Sequence, residues 1–345
     1  MAVNKEFLTY NQQMRKLRNN KNINCNGSDH KQILIRTGYF NLINGYKQPF
    51  TCGKLDNGNY QYYPGTTIEQ LYSLKRFDDN LRILLLKYIT QVEEEIRTLA
   101  AYKFDQFNDS GKTPWYDIDA YDASISLQNK MGTISAAYSE MSRSRLDYVQ
   151  FYMKEHKQIP TWIMVKAINF STMINVLNYS KKEVKHSICL LYGLLDDNEK
   201  PNVKLLIGSL HWMRKVRNSC AHNERVYCLH SEHEGNCGNK KSSKRIKEKY
   251  FKQLTPGYLR KETDKKIFDI IIYMKYFLTK NEFNDMINEL IKMLVQLKEE
   301  INKEAFENVR GCMGIMELND LEKLNSIPKD EILYNKFETF YKEVL

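Results

Sequence analysis

The spacing of apolar residues along the chain predicts a protein built mostly of α-helices. The clearest segment spans residues 77–104, where apolar side chains recur every three or four positions and so line one face of a helix. These side chains belong to Leu81, Leu84, Leu85, Tyr88, Ile89, Val92, Ile96, Leu99 and Ala100. Thr66 or Thr67 can cap such a helix, because Glu69 and Gln70 follow in its first turn. We therefore predict one long core helix in this part of the chain.

Helical spacing also covers most of the remaining chain. Helices are predicted over residues 5–19, 123–155, 161–179 and 203–225, with a further segment over 29–46. Residues 264–308 are predicted to form one or two more helices. Residues 55–67, LDNGNYQYYPGTT, carry the turn signals Asn57-Gly58 and Pro64-Gly65, and the tyrosines between them suit a short hairpin or a loop. The sequence has no glycine-rich phosphate loop, no βαβ alternation and no internal repeat. We therefore predict an all-α fold with at most one short β-hairpin.

The turn-rich residues 55–67 also indicate how the chain is organised. They divide an N-terminal helical extension, residues 1–65, from a main helical domain over residues 66–310. We place a basic insertion in this domain at about residues 229–263 and a C-terminal tail at residues 311–345. No stretch approaches the roughly 18 consecutive apolar residues of a membrane span, and the first residues lack the layout of a signal peptide. We therefore expect a cytoplasmic protein whose seven scattered cysteines are reduced.

Positive charge is concentrated near the end of the predicted insertion. The chain carries a net charge of +10, and residues 240–266 hold eleven Lys or Arg against three Asp or Glu, which is +8. Such runs most often face phosphates, because binding them releases counterions, so nucleic acid is the leading partner class. The predicted RNA-binding side chains here are Lys240, Lys241, Lys244, Arg245 and Lys247, with Tyr250, Phe251 and Tyr258 available to stack on bases. A solvated basic loop would have the same composition.

The stretch RNSCAHNER, residues 217–225, brings together side chains that suit RNA cleavage. Arg217 offers a planar charged fork to a phosphate, His222 can move a proton near neutral pH, and Asn218 can orient either one. These roles fit attack of a ribose 2′-hydroxyl on the adjacent phosphodiester, which needs no metal and no cofactor. On an ideal helix Arg217 and His222 lie roughly 140° apart. Their side chains meet only if the helix is distorted or ends near Cys220, or if a second copy packs against the first.

Each of these residues also has a plainer interpretation. His222 could be a capping or ion-paired histidine near Glu224, and a second match to the same spacing, from Arg225 to His230, runs into a loop. Arg214 and Arg225 share the polar side of the predicted helix with His222, and we predict that they bind RNA. A cluster of zinc-type ligands follows in CLHSEHEGNC, either a structural zinc site or a loop with incidental ligands. Its members are Cys228, His230, His233 and Cys237.

The RNxxxH pattern resembles the signature of HEPN ribonucleases, and the wider chain resembles the Abi-like family of AbiD and AbiF proteins, which are bacterial abortive-infection factors. The resemblance begins at Tyr10, Gln13 and Leu17. It continues through IRTGYFNLINGYKQPF (35–50), the fD..LR…iE..iR pattern within residues 66–102, IPTWIMVKAINFS (159–171) and WMRKVRNSCAHNERVY (212–227). The chain departs from the family pattern at Lys166, Ser171 and Cys228.

This resemblance implies a HEPN-type helical bundle that dimerises and places two RNxxxH motifs over one cleavage site. Arg217 would hold the scissile phosphate, His222 would act as general acid or base, and Asn218 would support the geometry. Glu94 or Glu95 and Arg97 would flank the cleft, although a surface ion pair would have the same spacing. A structured small noncoding RNA is an implied regulator. Two functions stay open, a metal-independent endoribonuclease and a non-catalytic RNA-binding module of the same defence system.

Overall fold

The computed structural model describes residues 7–54, 58–156, 158–231, 245–246, 248–254 and 264–329. In chain order the helices are α1 (Tyr10–Lys21), α2 (Gly27–Thr37), α3 (Ile68–Gln106), α4 (Leu127–Ser142), α5 (Asp147–Glu155), α6 (Thr161–Ala167), α7 (Phe170–Tyr179), α8 (Lys182–Tyr192), α9 (Val203–Ala221), α10 (Lys249–Lys252), α11 (Ile267–Phe277), α12 (Lys280–Glu300), α13 (Lys303–Met313) and α14 (Asn319–Ser326). Strands β1 (Thr51–Lys54) and β2 (Tyr60–Tyr62) pair as an antiparallel hairpin. The prediction of an all-α fold with one short hairpin is confirmed.

Helix α3 is the central element of the fold. It begins where the sequence predicts, because the Thr67 hydroxyl accepts a hydrogen bond from the Gln70 N–H while the Gln70 side chain accepts one from the Thr67 N–H. Such a capping box satisfies N–H groups that the helix itself leaves unpaired. The predicted apolar stripe is buried except for Leu99, which is partly buried, and α6, α8, α9 and α12 pack against α3. The helix therefore links the N-terminal and C-terminal parts of the chain.

The N-terminal elements join the same core as α3. Leu17 of α1 and Leu34 of α2 are fully buried, and the backbone of Asn24 pairs with the segment that precedes α3. A π-helical turn, Phe40–Asn44, follows α2, and a 3₁₀ turn, Gln48–Phe50, leads into the hairpin. One hydrophobic cluster runs from these elements through to Leu324.

Several predicted helices are divided by polar caps. The predicted helix over residues 161–179 breaks between α6 and α7, where the Asn169 side chain accepts from the Thr172 N–H. The predicted segment 264–308 forms α11, α12 and the start of α13, with Thr279 and Asn302 as the caps of the last two. Side-chain oxygens at such positions compete for backbone N–H groups and end the preceding helix.

The described part of the predicted C-terminal tail packs against the rest of the molecule. Leu321 and Leu324 of α14 are fully buried, and the Lys275 ammonium donates to the Leu324 carbonyl oxygen at 2.7 Å. Within the described ranges, no helix combines the length and apolar character needed to cross a bilayer.

Candidate functional site

The end of helix α9 gives the RNSCAHNER stretch its shape. The helix was predicted to continue to residue 225, and this was wrong, because it ends at Ala221 with His222 as its C-terminal cap. The His222 N–H still donates to the Asn218 carbonyl at 3.0 Å, and Asn223 then turns into the left-handed region at φ 55°. The helix thus ends close to Cys220, one of the arrangements that could bring Arg217 and His222 together.

A buried carboxylate on α3 holds the backbone that follows this turn. Asp78 is fully buried and accepts hydrogen bonds from the Tyr227 N–H at 2.8 Å and the Val226 N–H at 3.1 Å. It also accepts from the Tyr46 hydroxyl at 2.9 Å and the Arg82 guanidinium at 3.1 Å. Burial raises the pKa of Asp78, and these hydrogen bonds oppose that rise. His222 is therefore carried on a short turn whose two ends, α9 and residues 226–227, are both fixed.

Further contacts strengthen this anchor. Arg82 donates to the Glu224 carbonyl oxygen at 3.2 Å, and Arg225 donates to the Gly45 carbonyl oxygen at 2.5 Å. The rings of Tyr46 and Tyr227 stack with centroids 6.1 Å apart. Arg225, predicted to bind RNA, is exposed but has one guanidinium nitrogen on the backbone of the N-terminal region.

His222 itself is exposed at the surface of the turn. The Glu224 carboxylate accepts from the Ser219 hydroxyl at 2.7 Å. Among the residues that the structure describes, the His222 imidazole makes neither a hydrogen bond nor an ion pair. Of the two plainer interpretations, the ion pair with Glu224 is therefore not formed, whereas His222 does cap the helix, through its backbone N–H. Its ring is available to a molecule that approaches from solvent.

Arg217 is oriented by two neighbours. Its Nε lies 3.5 Å from the Glu93 Oε2, and its Nη1 donates to the Asn218 side-chain oxygen at 3.2 Å. Glu93 is 8% exposed, and its other oxygen accepts from Arg97 at 2.6 Å and 3.1 Å. Arg97 in turn donates to the carbonyl oxygens of Val165 and Ile168. Glu93 therefore ties Arg217 to α6 through Arg97, while 39% of the Arg217 side chain stays exposed.

A cavity of about 920 Å³ opens beside this pair of arginines. Arg217, Arg97 and Glu94 line it, as does Glu93. Glu95, which shared the predicted cleft position with Glu94, lies elsewhere: it accepts from the Tyr192 hydroxyl at 3.2 Å, and burial raises its pKa. The sequence interpretation missed Glu93, although its spacing of four residues before Arg97 is that of a helical ion pair and could have indicated it.

A second cavity, of about 1150 Å³, lies at the turn itself. It is lined by residues 219–221 and 223–225, which directly flank His222. No hydrogen bond joins Arg217 to His222 within the described chain, and Arg217 lines only the first of these two cavities. In one copy of the chain, the two candidate catalytic side chains are therefore not assembled into one pocket.

Several described residues of the basic segment lie inside the fold. Arg245 donates from Nε and Nη2 to the two carboxylate oxygens of Asp269, each at 2.8 Å. Its guanidinium also lies 4.5 Å from the centre of the Phe251 ring. The Arg245 side chain is 7% exposed, and Tyr250 and Phe251 are buried, so these three predicted RNA contacts stabilise the core instead. Lys240, Lys241, Lys244, Lys247 and Tyr258 lie outside the described residues. Arg214 is half-buried, with an enclosed Nε.

The predicted zinc ligands are only partly described. Cys228 is half-buried, and burial raises its pKa to about 11, which opposes the thiolate form that zinc binds. His230 is also described, whereas His233 and Cys237 are not. Within the described ranges, no three His, Cys, Asp or Glu side chains are grouped so as to hold a metal ion. The four-ligand hypothesis stays a prediction.

Fold and site together define a class: an all-α protein that presents an arginine and a histidine at the anchored end of a core helix. A family model described as Abi-like protein matches residues 32–228, and the chain belongs to this family. The match starts in α2 and stops directly after the anchored Tyr227, so it includes Tyr46, Asp78 and Arg217. Family membership gives the protein a role in abortive infection, a form of phage defence. Neither the curated proteins nor the solved structures contain a match to the chain.

Proposed function

We propose that this protein is a metal-independent endoribonuclease of the HEPN type that acts in phage defence. Arg217 binds and polarises the scissile phosphate, Asn218 keeps its guanidinium oriented, and His222 transfers protons. The observation that carries the proposal is the imidazole of His222, which is exposed and has no partner among the described residues, on a turn that buried Asp78 holds in place. A rigidly placed histidine within five residues of a phosphate-binding arginine suits acid–base chemistry on RNA.

The chemistry follows from these groups. A base removes the proton of a ribose 2′-hydroxyl, its oxygen attacks the adjacent phosphorus, and the bond to the 5′-oxygen breaks as an acid protonates that oxygen. The products are a 2′,3′-cyclic phosphate and a free 5′-hydroxyl. Arg217 stabilises the extra negative charge on phosphorus in the transition state. Glu93 does not remove this capacity, because 39% of the Arg217 side chain stays exposed beside it.

Two copies of the chain supply what one copy lacks. The reaction needs both a base and an acid, and each chain offers one exposed His222 at this site. Because Arg217 lines one cavity of the chain and the residues that flank His222 line another, we propose that a homodimer assembles the composite site. A structured noncoding RNA that binds the protein would keep this site silent until infection, and sequencing the RNA that co-purifies with it from its host would identify such a regulator.

Cleavage of a labelled RNA by the purified protein in EDTA tests the chemistry. His222→Ala should lower the cleavage rate by about 10² to 10⁴ while RNA binding survives, because only proton transfer is lost. His186→Ala is the control, since His186 is a half-buried histidine of α8 that lines neither cavity, and this variant should cleave at the wild-type rate. The upstream fragment should carry a 2′,3′-cyclic phosphate.

Two outcomes would contradict the nuclease proposal. Full cleavage by His222→Ala would remove the acid–base role, and dependence of cleavage on an added metal ion would replace this mechanism. RNA binding by the wild-type protein without any cleavage would favour the alternative of a non-catalytic RNA-binding module.

A further inference from the structure

The cavity beside Arg217 continues into a group of exposed aromatic side chains. Tyr102, Tyr148 and Trp162 line it, with 62%, 39% and 49% of each residue exposed. Ring contacts extend the group outward from Trp162 to Tyr152 at 5.3 Å, and from Tyr152 to Phe151 and His156 at 5.8 Å and 4.8 Å. We call these six side chains the aromatic ledge. It lies on α3, α5, α6 and the residue that follows α5.

The exposure of Trp162 sets it apart from the other tryptophans of this protein. The other two tryptophans, Trp115 and Trp212, are 1% and 2% exposed and each donates its indole N–H to a backbone carbonyl oxygen. Helix α5 buries only Val149. Trp115 and Trp212 stabilise the core, whereas Trp162 and the rings around it face solvent. Contiguous exposed apolar surface of this kind marks a binding site.

The chemistry around the ledge favours an RNA strand as its ligand. Between residues 143 and 166 the sequence has five Lys or Arg and two Asp or Glu, a surplus of three positive charges. The lining of the cavity itself is balanced in charge, with Arg97, Lys166 and Arg217 against Glu93, Glu94 and Asp105. The guanidinium of Arg217 is partly exposed there, beside the basic segment 143–166. Aromatic rings beside cationic groups form the surface on which proteins stack the bases of single strands, whereas paired bases are hidden inside a duplex.

We propose that the aromatic ledge stacks on unpaired RNA bases that flank the phosphate at Arg217. Glu93, which orients Arg217, and Tyr102 are nine residues apart on α3, a distance of about 14 Å along the helix axis. The ledge therefore holds neighbouring nucleotides and takes no part in the chemical step. The identity of the phosphate rests on the proposed nuclease function, but stacking on the ledge is measurable without cleavage.

Binding measurements in a His222→Ala background test the ledge, because the RNA then stays intact. The probes are a fluorescein-labelled 12-nucleotide oligoadenylate and a 12-base-pair RNA duplex. Trp162→Ala and Phe151→Ala should each weaken binding of the single strand by roughly fivefold to a hundredfold. Duplex binding and the slope of affinity against salt should not change, because no cationic contact is removed. Phe7→Ala is the control, since Phe7 is 88% exposed and lies outside this cavity.

Trp162 also provides a direct signal, because it is the one tryptophan that solvent reaches. Oligoadenylate should quench the tryptophan fluorescence of the His222→Ala protein. Trp162→Phe should lose this quench and keep most of the affinity, since a phenyl ring still stacks. If the Trp162→Ala protein does not fold, because it lacks the contact with Tyr152, the Phe151→Ala and Tyr102→Ala proteins still test the ledge.

The outcomes separate the ledge from the nuclease. Wild-type affinity in both Phe151→Ala and Trp162→Ala would overturn the ledge proposal, as would an equal loss for single strand and duplex, and the surface would then suit a protein partner. A wild-type protein that shows the quench but never cleaves RNA would leave the ledge in place and remove the nuclease. If the wild-type protein cleaves RNA and the ledge variants bind RNA normally, the nuclease proposal stands and the ledge proposal fails.

Discussion

Two buried carboxylates on the same helix do different work. Asp78 is fully enclosed and satisfied largely by backbone N–H groups of residues 226 and 227, so it fixes the path of the chain. Glu93, fifteen residues later, accepts hydrogen bonds from Arg97 through one oxygen and forms an ion pair with Arg217 through the other, which accepts no hydrogen bond among the described residues. It therefore orients a charged group that still reaches solvent. The carboxylate that fixes the backbone is fully buried, whereas the carboxylate that orients Arg217 is slightly exposed and leaves that arginine in contact with solvent.

Removing the first carboxylate should have the largest effect on stability. Asp78→Ala leaves the largely buried Arg82 guanidinium and two N–H groups without their acceptor, and we expect a loss of about 3–5 kcal/mol in the free energy of unfolding. Asp79→Ala is the control, because Asp79 pairs with Arg82 and Lys75 at a partly exposed position and should cost about 0–1 kcal/mol. Urea denaturation of the three proteins measures both. Equal losses would mean that Asp78 has no special role as an anchor.

A third buried carboxylate, Glu248, should make the stability of the protein depend on pH. Glu248 accepts from the N–H groups of Tyr250 and Phe251 and from the Tyr276 hydroxyl, and burial raises its pKa from 4.5 to about 7. The folded state therefore binds a proton more readily than the unfolded state. The stability that this group contributes is complete below pH 4.5 and is lost as the pH rises through 7.

The measurement is the free energy of unfolding at pH 5 and pH 8. The wild-type protein should lose stability relative to Glu248→Gln over this interval, by about 3 kcal/mol at most. Parallel pH profiles for the two proteins would show that Glu248 does not titrate in this range.

Loss of the second carboxylate should affect activity more than stability. Glu93→Gln removes the charge that orients Arg217, and we expect cleavage to fall about tenfold, corresponding to roughly 1.4 kcal/mol in the barrier. RNA affinity should not fall, because the cleft becomes more positive. Glu94→Gln is the matched control: it removes the same charge from the same cavity without touching either arginine. A larger defect in Glu94→Gln than in Glu93→Gln would contradict this assignment.

Periodicity in the sequence predicted the parts of this molecule that depend on neighbours along the chain. The capping box at Thr67, the apolar stripe of α3 and the hairpin are all local, and the structure confirms them. The end of α9 is not local, because the backbone after it is held by Asp78, almost 150 residues earlier.

The sequence likewise could not predict which charged residues are buried. Arg245 looks like its basic neighbours until Asp269 of α11 meets it in the core. Of the three consecutive glutamates, only Glu93 faces Arg217, since each step along a helix turns the side chain by about 100°. Which face packs against α6 depends on tertiary contacts that no local pattern contains.

The anchor at Asp78 also limits how far the RNxxxH motif can be moved. Asp78 of α3 joins Tyr46 to the chain that follows His222, so three distant parts of the sequence form one turn. Grafting RNSCAHNER onto another helical scaffold would transfer the side chains without the backbone path that presents His222. A shortened protein that starts at α3 would lose Tyr46 and the Arg225–Gly45 bond as well. For engineering, the transferable unit is the whole span from the π-helical turn to Tyr227, and a change at any one of its three parts constrains what the other two can become.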